Sequence, residues 1–239
     1  MEPPANAAWE RTERLLGSAA IKRLATARVA VFGIGGVGSY AVEALTRSGI
    51  GHLLLVDADT ITLSNLNRQL HATHQTIGLP KVTVMAQRVK TINPHATVDT
   101  RQLFYLPENA ASIELHTFDY IIDAIDTITA KVELISRAVA NSIPIISCMG
   151  AGNKLDPTRF KINDIFATTT CPLCRVMRKL LRARKINHLQ VVWSDEPPLT
   201  PPTSATPDTS PGSLPFVPPV AGLIAASAVI RHLTSPYVG

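Results

Sequence analysis

Four glycines in the stretch VFGIGGVGSYAVEAL, Gly33, Gly35, Gly36 and Gly38, separate the apolar run RVAVF (28–32) from the helical pattern SYAVEALTRSG (39–49). Such a turn lets backbone approach a phosphate, and the helix it opens offers free amides and the positive end of its dipole. Asp57 closes the next apolar run, HLLLVDAD (52–59), where a carboxylate can take ribose hydroxyls. Up to this residue a dinucleotide and ATP fit equally well, because a glycine-rich turn between strand and helix is only moderately specific. The residues after Asp57 separate the two. Asn65, Arg68 and Gln69 lie in the polar segment SNLNRQ, and Lys81 follows GLP at the head of the next helical pattern. Two cations and two amides can surround a triphosphate and offset its charge. A hydride-transferring enzyme has no need of two cations there. Asp123 and Asp126 end the run FDYIIDAID (118–126), at the edge where doubly wound sheets bind ligands, and a carboxylate there can hold Mg2+ against phosphates. The competing reading for both is capping of the helix that starts at TAK. His71 and His74, in LHATH, either face the same site or are ordinary surface or cap histidines.

The elements that must position these residues follow from hydrophobic periodicity. KVTVMAQRVKTINP (81–94) has helical spacing up to Pro94, ATVDTRQ (96–102) reads as a short strand, TAKVELISRAVANS (129–142) as a helix and IPIISCMGAG (143–152) as a strand. Strands alternating with helices predict an α/β fold, a doubly wound, mostly parallel Rossmann-like sheet. Three segments are expected: an N-terminal helical arm (1–27), a nucleotide-binding core (28–155) and a C-terminal extension (156–239). The extension holds a basic helix, CRVMRKLLRARKI (174–186), a strand QVVWS (190–194), a Pro-, Ser- and Thr-rich loop (195–215) expected to be mobile, and an apolar helix, VAGLIAASAVIRHL (220–233). That last helix reads as a core or subunit-interface element rather than a membrane span.

The chain has 239 residues, a formal net charge of +5 and 46% hydrophobic residues, a composition ordinary for a soluble globular protein. Its N-terminus lacks the apolar core of a signal peptide and its three cysteines make no disulfide framework, so the expected compartment is the cytoplasm. Cys171 and Cys174 form CPLC, but no second pair follows, which leaves a structural zinc site two ligands short. Cys148 reads as a buried small hydrophobe. Arg175, Arg178, Lys179, Arg182, Arg184 and Lys185 put six cations on or beside one helix with no acid, a pattern that attracts nucleic-acid phosphates or simply faces solvent. Apart from Trp193 few aromatics lie nearby, so the sequence shows no obvious stacking platform for a flipped base.

Taken together, GxGGxG, D-x-D, SNLNRQ, GLPK and D-x-x-D resemble the ubiquitin-activating-enzyme-like superfamily of adenylating enzymes, over about residues 9–155. By that resemblance Gly35 and Gly36 line the phosphates and Asp57 binds ribose. Asn65, Arg68 and Lys81 contact the phosphates, Asp59 and Gln69 support them, and Asp126 holds Mg2+. RTERLLG (11–17) resembles the motif whose arginine, here Arg11, reaches into the ATP site of a neighbouring subunit, which implies a homodimer.

A narrower resemblance spans nearly the whole chain. NRQLHA, YIIDAID, GAGNKLDPT, PLCRVMRKLLR, VVWSDEPPL and GSLPFVPPVAGLIAASAVI are similar to the tRNA threonylcarbamoyladenosine dehydratase branch, from which the CPLC pair departs. It implies ATP-dependent cyclisation of a threonylcarbamoyl adenosine in tRNA by adenylation of its carboxylate. The alternative is adenylation of the C-terminus of a ubiquitin-like sulfur carrier, with a sulfur-relay protein as a further candidate partner.

Overall fold

The computed structural model describes residues 7–200 and 211–237. Its strands are β1 (Arg28–Phe32), β2 (His52–Val56), β3 (Thr97–Arg101), β4 (Tyr120–Asp123), β5 (Ile145–Cys148), β6 (Phe160–Asp164) and β7 (Gln190–Ser194). Its α-helices are α1 (Glu10–Leu16), α2 (Ser18–Thr26), α3 (Gly38–Arg47), α4 (Lys81–Ile92), α5 (Ile128–Ala140), α6 (Pro172–Ala183) and α7 (Val217–Thr234). The apolar runs of β1, β2, β4, β5 and β7 are buried almost end to end, whereas β3 and β6 alternate in exposure because they form the two edges.

One sheet of order β3-β2-β1-β4-β5-β7-β6 results, parallel throughout except for β6, which runs antiparallel to β7. The α/β, doubly wound expectation is met. Chain order reverses between β1, which pairs with β2 on one side, and β4 on the other, so the ligand crevice of such sheets falls at the carboxyl ends of β1 and β4. Helices α2, α3, α4 and α7 pack on one face, and α5, α6 and the connection from β3 to β4 on the other. The element missing from the sequence reading is β6, whose Lys161 and Asn163 face outward and dilute the apolar signal of a short edge strand. Beyond residue 156 the chain continues the same sheet, with β7 paired to β5.

Of the polar loop 195–215, residues 201–210 lie outside the described residues. Its two described ends are tied to Asn153, whose carbonyl accepts from Leu199 N (2.8 Å) and whose Oδ1 accepts from Gly212 N (2.6 Å). Helix α7 is long and apolar enough to cross a bilayer, but 61% of it is buried inside the protein. Its tightest contact is at Gly222, where a Cβ would lie 2.1 Å from the Val37 carbonyl. Helix α7 is thus a core helix lying on α3.

The N-terminal arm divides in two. Helix α2 buries Ala20, Ile21 and Leu24, while α1 buries none of its residues. Trp9 fastens the start of α1 to the end of α3 through a bond from Nε1 to Arg47 O (3.0 Å), with its ring against Gly49.

The excursion from β2 to α4 is closed by Ile61 N to Leu79 O (2.9 Å) and Gly78 N to Ile61 O (2.8 Å). Within it His74 is exposed, but His71 is only 3% exposed and neither ring nitrogen has a partner among the described residues. Burial, with Lys81 adding repulsion, lowers the His71 pKa from 6.5 to about 4. The unfolded chain therefore binds a proton between those values that the folded protein refuses, and stability falls as pH drops through 6.5 toward 4. That gap is worth about 3 kcal/mol. His71→Leu removes the titrating group, so the loss of unfolding free energy between pH 7 and pH 5 should shrink by about 2 kcal/mol in urea titrations, the rest of the gap falling below pH 5. An unchanged decline would show that other groups carry the acid sensitivity.

Candidate active site

The carboxyl edge of the sheet holds a cavity of about 470 Å³ at the switch point between β1 and β4, within the range of small-molecule sites. The glycine turn forms its floor, with two different roles among the four glycines. Gly33 adopts φ +86° and passes so close to β4 that a Cβ would come within 2.5 Å of Ala124 O. Gly38 similarly abuts Gly33 O, where a Cβ would sit at 1.8 Å. Gly33, Gly35 and Gly36 line the cavity, but Gly38 does not. Gly38, expected beside the nucleotide, has a visible role in packing: its missing side chain lets the turn close. Behind Gly36, Val37 also lines the cavity and is the N-cap of α3, so the amino-terminal end of that helix lies beside it.

Asp57 stands at the end of β2. Its Oδ2 accepts from Ile34 N (2.6 Å) and its Oδ1 from Asp59 N (2.8 Å), so the carboxylate is aimed by the backbone on both sides. Burial raises its pKa, against the lowering effect of Lys81 and those two amides. Lys81, 5% exposed at the head of α4, donates to Asp59 Oδ2 (2.6 Å) and lies 4.0 Å from Asp57 Oδ1. Asp59 is thus the exposed partner that holds the Lys81 ammonium at the cavity wall.

Asn65, Arg68 and Gln69 all line the cavity. Asn65 Oδ1 caps its own turn by accepting from Thr62 N (3.1 Å), and Arg68 Nη1 donates to Ser64 O (2.9 Å) and Asn67 Oδ1 (3.0 Å). Gln69 is 6% exposed, lies against Gly35 and leaves Oε1 without a partner among the described residues. A buried amide oxygen without a donor is costly, which suits a group waiting for a ligand.

The two aspartates at the end of β4 part company. Asp126 is exposed and lines the cavity, and α5 takes Thr127 as its N-cap without a side-chain capping bond, so the capping reading of Asp126 fails. Asp123 is fully buried beneath the cavity, paired with Lys131 Nζ (3.0 Å) and accepting from Ser147 Oγ (2.5 Å). Its expected contact with nucleotide is corrected: protein groups take up the carboxylate. Among the described residues no three His, Cys, Asp or Glu side chains converge as a metal cage. An exposed carboxylate beside a phosphate-binding turn, with only Thr127 Oγ1 donating to it (3.3 Å) among the described residues, suits a Mg2+ carried in on phosphates.

Further wall residues were not singled out by the sequence. Leu103 and the half-exposed Phe104 come from the segment after β3, Gly150 and Gly152 from the loop after β5, and Leu173 from the first turn of α6. Only folding brings these distant positions together, and their types carry no chemical signature. Arg11 on α1 is exposed and absent from its own chain's cavity.

On α6 Arg175, Lys179 and Arg182 are exposed, as are Arg184 and Lys185 just past its end. Arg178, expected in the same set, is half-buried and donates through Nη1 to Thr168 O (2.9 Å). Arg182 lies over the Phe166 ring at 5.1 Å. Trp193 is buried, with Nε1 bonded to Asn163 Oδ1 (2.9 Å), and offers no stacking surface. Cys171 occupies the N-cap of α6. Hydrogen bonds from the Cys174 thiol and the amides of Cys174, Gly150 and Leu173 lower its pKa to about 5 against the effect of burial. The Cys174 thiol is pushed up in turn. Burial holds the Cys148 thiol at about 12.

Comparison with known proteins agrees with this geometry. The ThiF family profile matches residues 10–237. The tRNA threonylcarbamoyladenosine dehydratase of Bacillus subtilis (strain 168) is 42% identical over 94% of each chain, and that of Escherichia coli (strain K12) is 41% identical over 74% of this chain and 67% of its own. The molybdopterin-synthase adenylyltransferase of Escherichia coli (strain K12) is 36% identical over about half of each chain. A crystal structure of the E. coli tRNA N6-threonylcarbamoyladenosine dehydratase in complex with ATP superposes with a TM-score of 0.88 at 33% identity, covering 97% of this chain and 95% of that one. The chain belongs to the ThiF family, and within it to the tRNA threonylcarbamoyladenosine dehydratases.

Proposed function

We propose that this protein uses ATP to dehydrate N6-threonylcarbamoyladenosine in tRNA to a cyclic product. The observation that carries the reading is a cavity uniting the glycine turn, Asp57, Arg68, Lys81 and Asp126 in a chain that resembles these dehydratases from end to end. A sulfur carrier is the weaker substrate, because two molybdopterin-synthase adenylyltransferases are 36% and 32% identical over 52% and 71% of the chain, against 42% over 94% for a dehydratase.

The chemistry follows from the groups present. A carboxylate is a poor electrophile because its leaving group would be oxide. The threonyl carboxylate oxygen attacks the α-phosphorus of ATP and pyrophosphate departs with the bonding electrons, leaving a mixed anhydride. Arg68 and Lys81, with Gln69 and Asn65, offset charge developing on the phosphates, while Asp57 holds the ribose. Asp126 would hold Mg2+, which when bound draws charge from the phosphate oxygens. The carbamoyl group then attacks the acyl carbon, AMP leaves carrying the former carboxylate oxygen, and the attacking group gives up its proton to solvent. The nucleoside is lighter by one water. Ring closure within one substrate has an effective molarity of about 10^5 M or more when oriented, so no covalent enzyme nucleophile is needed.

Arg11 completes the site in trans in this reading: α1 buries none of its own residues, and the arginine reaches the cavity of a second copy. The exposed cations of α6, whose Leu173 lines the cavity, take tRNA phosphates. The reaction runs in the cytoplasm, where its tRNA is, and needs no sulfur-relay protein.

Three outcomes test the proposal. Pyrophosphate release should require both Mg2+ and threonylcarbamoylated tRNA, with the digested nucleoside losing one water by mass spectrometry, and Asp126→Asn should lower kcat by about 10^2-fold or more. Release independent of the tRNA modification would overturn the reading. Mixing inactive Arg11→Ala with inactive Asp126→Asn should restore about a quarter of wild-type turnover, since half of a two-fold dimer population is mixed and holds one intact site. No recovery would place Arg11 outside the partner's site. Replacing Arg175 and Lys179 by Ala should raise the KM for tRNA with kcat kept, and reduce the slope of log K against log salt by about 1 to 2. An unchanged salt slope would remove α6 from the tRNA path.

A further inference from the structure

Lys131 sits on the face of α5 that also carries Leu134, Ile135 and Ala138, all buried against the sheet. An ammonium in that position loses its hydration, at a cost of several kcal/mol unless every proton finds an acceptor. All three do. Nζ lies 3.0 Å from Asp123 Oδ2, 2.9 Å from Ile125 O and 2.9 Å from Cys148 O, and neither Lys131 nor Asp123 has any exposed side-chain surface.

The identity of those acceptors is informative. The pairing of β4 with β5 ends at Asp123 and Ser147, so beyond it no ladder ties the two strands together. Ile125 and Cys148 both lie past that point and both line the cavity, one residue before Asp126 and two before Gly150. Lys131 binds one carbonyl from each, and its counter-ion Asp123 accepts Ile125 N (3.1 Å) with one oxygen and Ser147 Oγ (2.5 Å) with the other. These acceptors satisfy the ammonium, and because they are main-chain oxygens of two cavity-lining segments the same bonds hold both segments. An apolar side chain would fill the same volume and tie neither.

We infer that Lys131 is a positioning residue: its ammonium cross-links segments 124–127 and 148–150 beyond the end of the sheet and so fixes the Asp126 carboxylate beside the glycine turn. This rests on the reading of Asp126 as the carboxylate that meets the nucleotide's metal.

The test compares wild type, Asp126→Asn, Lys131→Arg and the charge-free double variant Asp123→Asn/Lys131→Met, each confirmed folded by circular dichroism. Amide hydrogen exchange without nucleotide should rise at residues 124–127 and 148–150 in both Lys131 variants. The half-saturating Mg2+ concentration for pyrophosphate release should rise, and kcat should fall, by about 10-fold to 100-fold, with the KM for ATP little changed because the Asp57 and Lys81 side is untouched. Should the double variant fail to fold, Lys131→Arg supplies the same readouts. Its guanidinium keeps the charge but cannot direct three protons from one atom to those three oxygens. Folded Lys131 variants with native exchange and native Mg2+ dependence would overturn the inference. An Asp126→Asn protein as active as wild type would instead overturn the underlying reading of Asp126.

Discussion

Everything at the site depends on how closely the chain after β1 runs beside the chain after β4. The Gly33 backbone lies where any Cβ would collide with the Ala124 carbonyl, and the start of α3 lies where a Cβ on Gly38 would collide with Gly33. These contacts bring three things to one place: the amide end of α3, the ribose-facing end of β2 and the carboxylate that follows β4. A larger side chain at Gly33 or Gly38 would push the strands apart or unwind the turn, and each functional group would then sit in a different cavity. The nucleotide site is therefore a property of backbone packing before it is one of side chains.

The charges are layered on that scaffold in two ways. At the cavity wall the ion pairs are partial: Lys81 is buried but answers an exposed Asp59, and Arg68 bonds only to neutral oxygens. Such cations can turn toward a triphosphate while Asp57, the acid 4.0 Å from Lys81, stays held by the amides of Ile34 and Asp59. Beneath the cavity the pairing is complete, with Asp123 and Lys131 satisfying each other and the surrounding main chain. Breaking that pair would leave a charge in a dry interior, a far larger penalty than losing a surface pair. The upper layer is thus free to reorganise around ligand while the lower one holds shape.

This layering explains what the sequence makes legible. The glycine turn, Asp57, the two cations and Asp126 are visible because chemistry demands those residue types at strand ends, and strand ends show as the limits of apolar runs. Asp123 carries the same letter as Asp126 and stands three residues away, yet its role is opposite. The sign that could have separated them was Lys131, a cation in phase with the apolar stripe of α5, which calls for a buried acid within reach. Gly38 and Arg178 make a related point: a motif position marks a residue type, and packing decides which neighbours it meets. Strand β6 was hidden because an edge strand with one wet face has little apolar signal to give.

The cavity also shows where substrate choice is written. Its wall beside the glycine turn is built from residues within 32–81 and 124–127. Its remaining wall comes from the loop after β5, from Leu173 at the head of α6, and from Pro211, Ser213 and Pro218 ahead of and within α7. Those later segments are held by Asn153, by Asn67 bonding Ser213 O at 3.0 Å, and by the Gly222 contact with α3. Helix α6 therefore does two things at once: its first turn walls the cavity while the exposed cations along it face outward. A substrate that fills both must place a small carboxylate inside and a long polyanion outside, and a modified nucleoside within tRNA has that shape and charge.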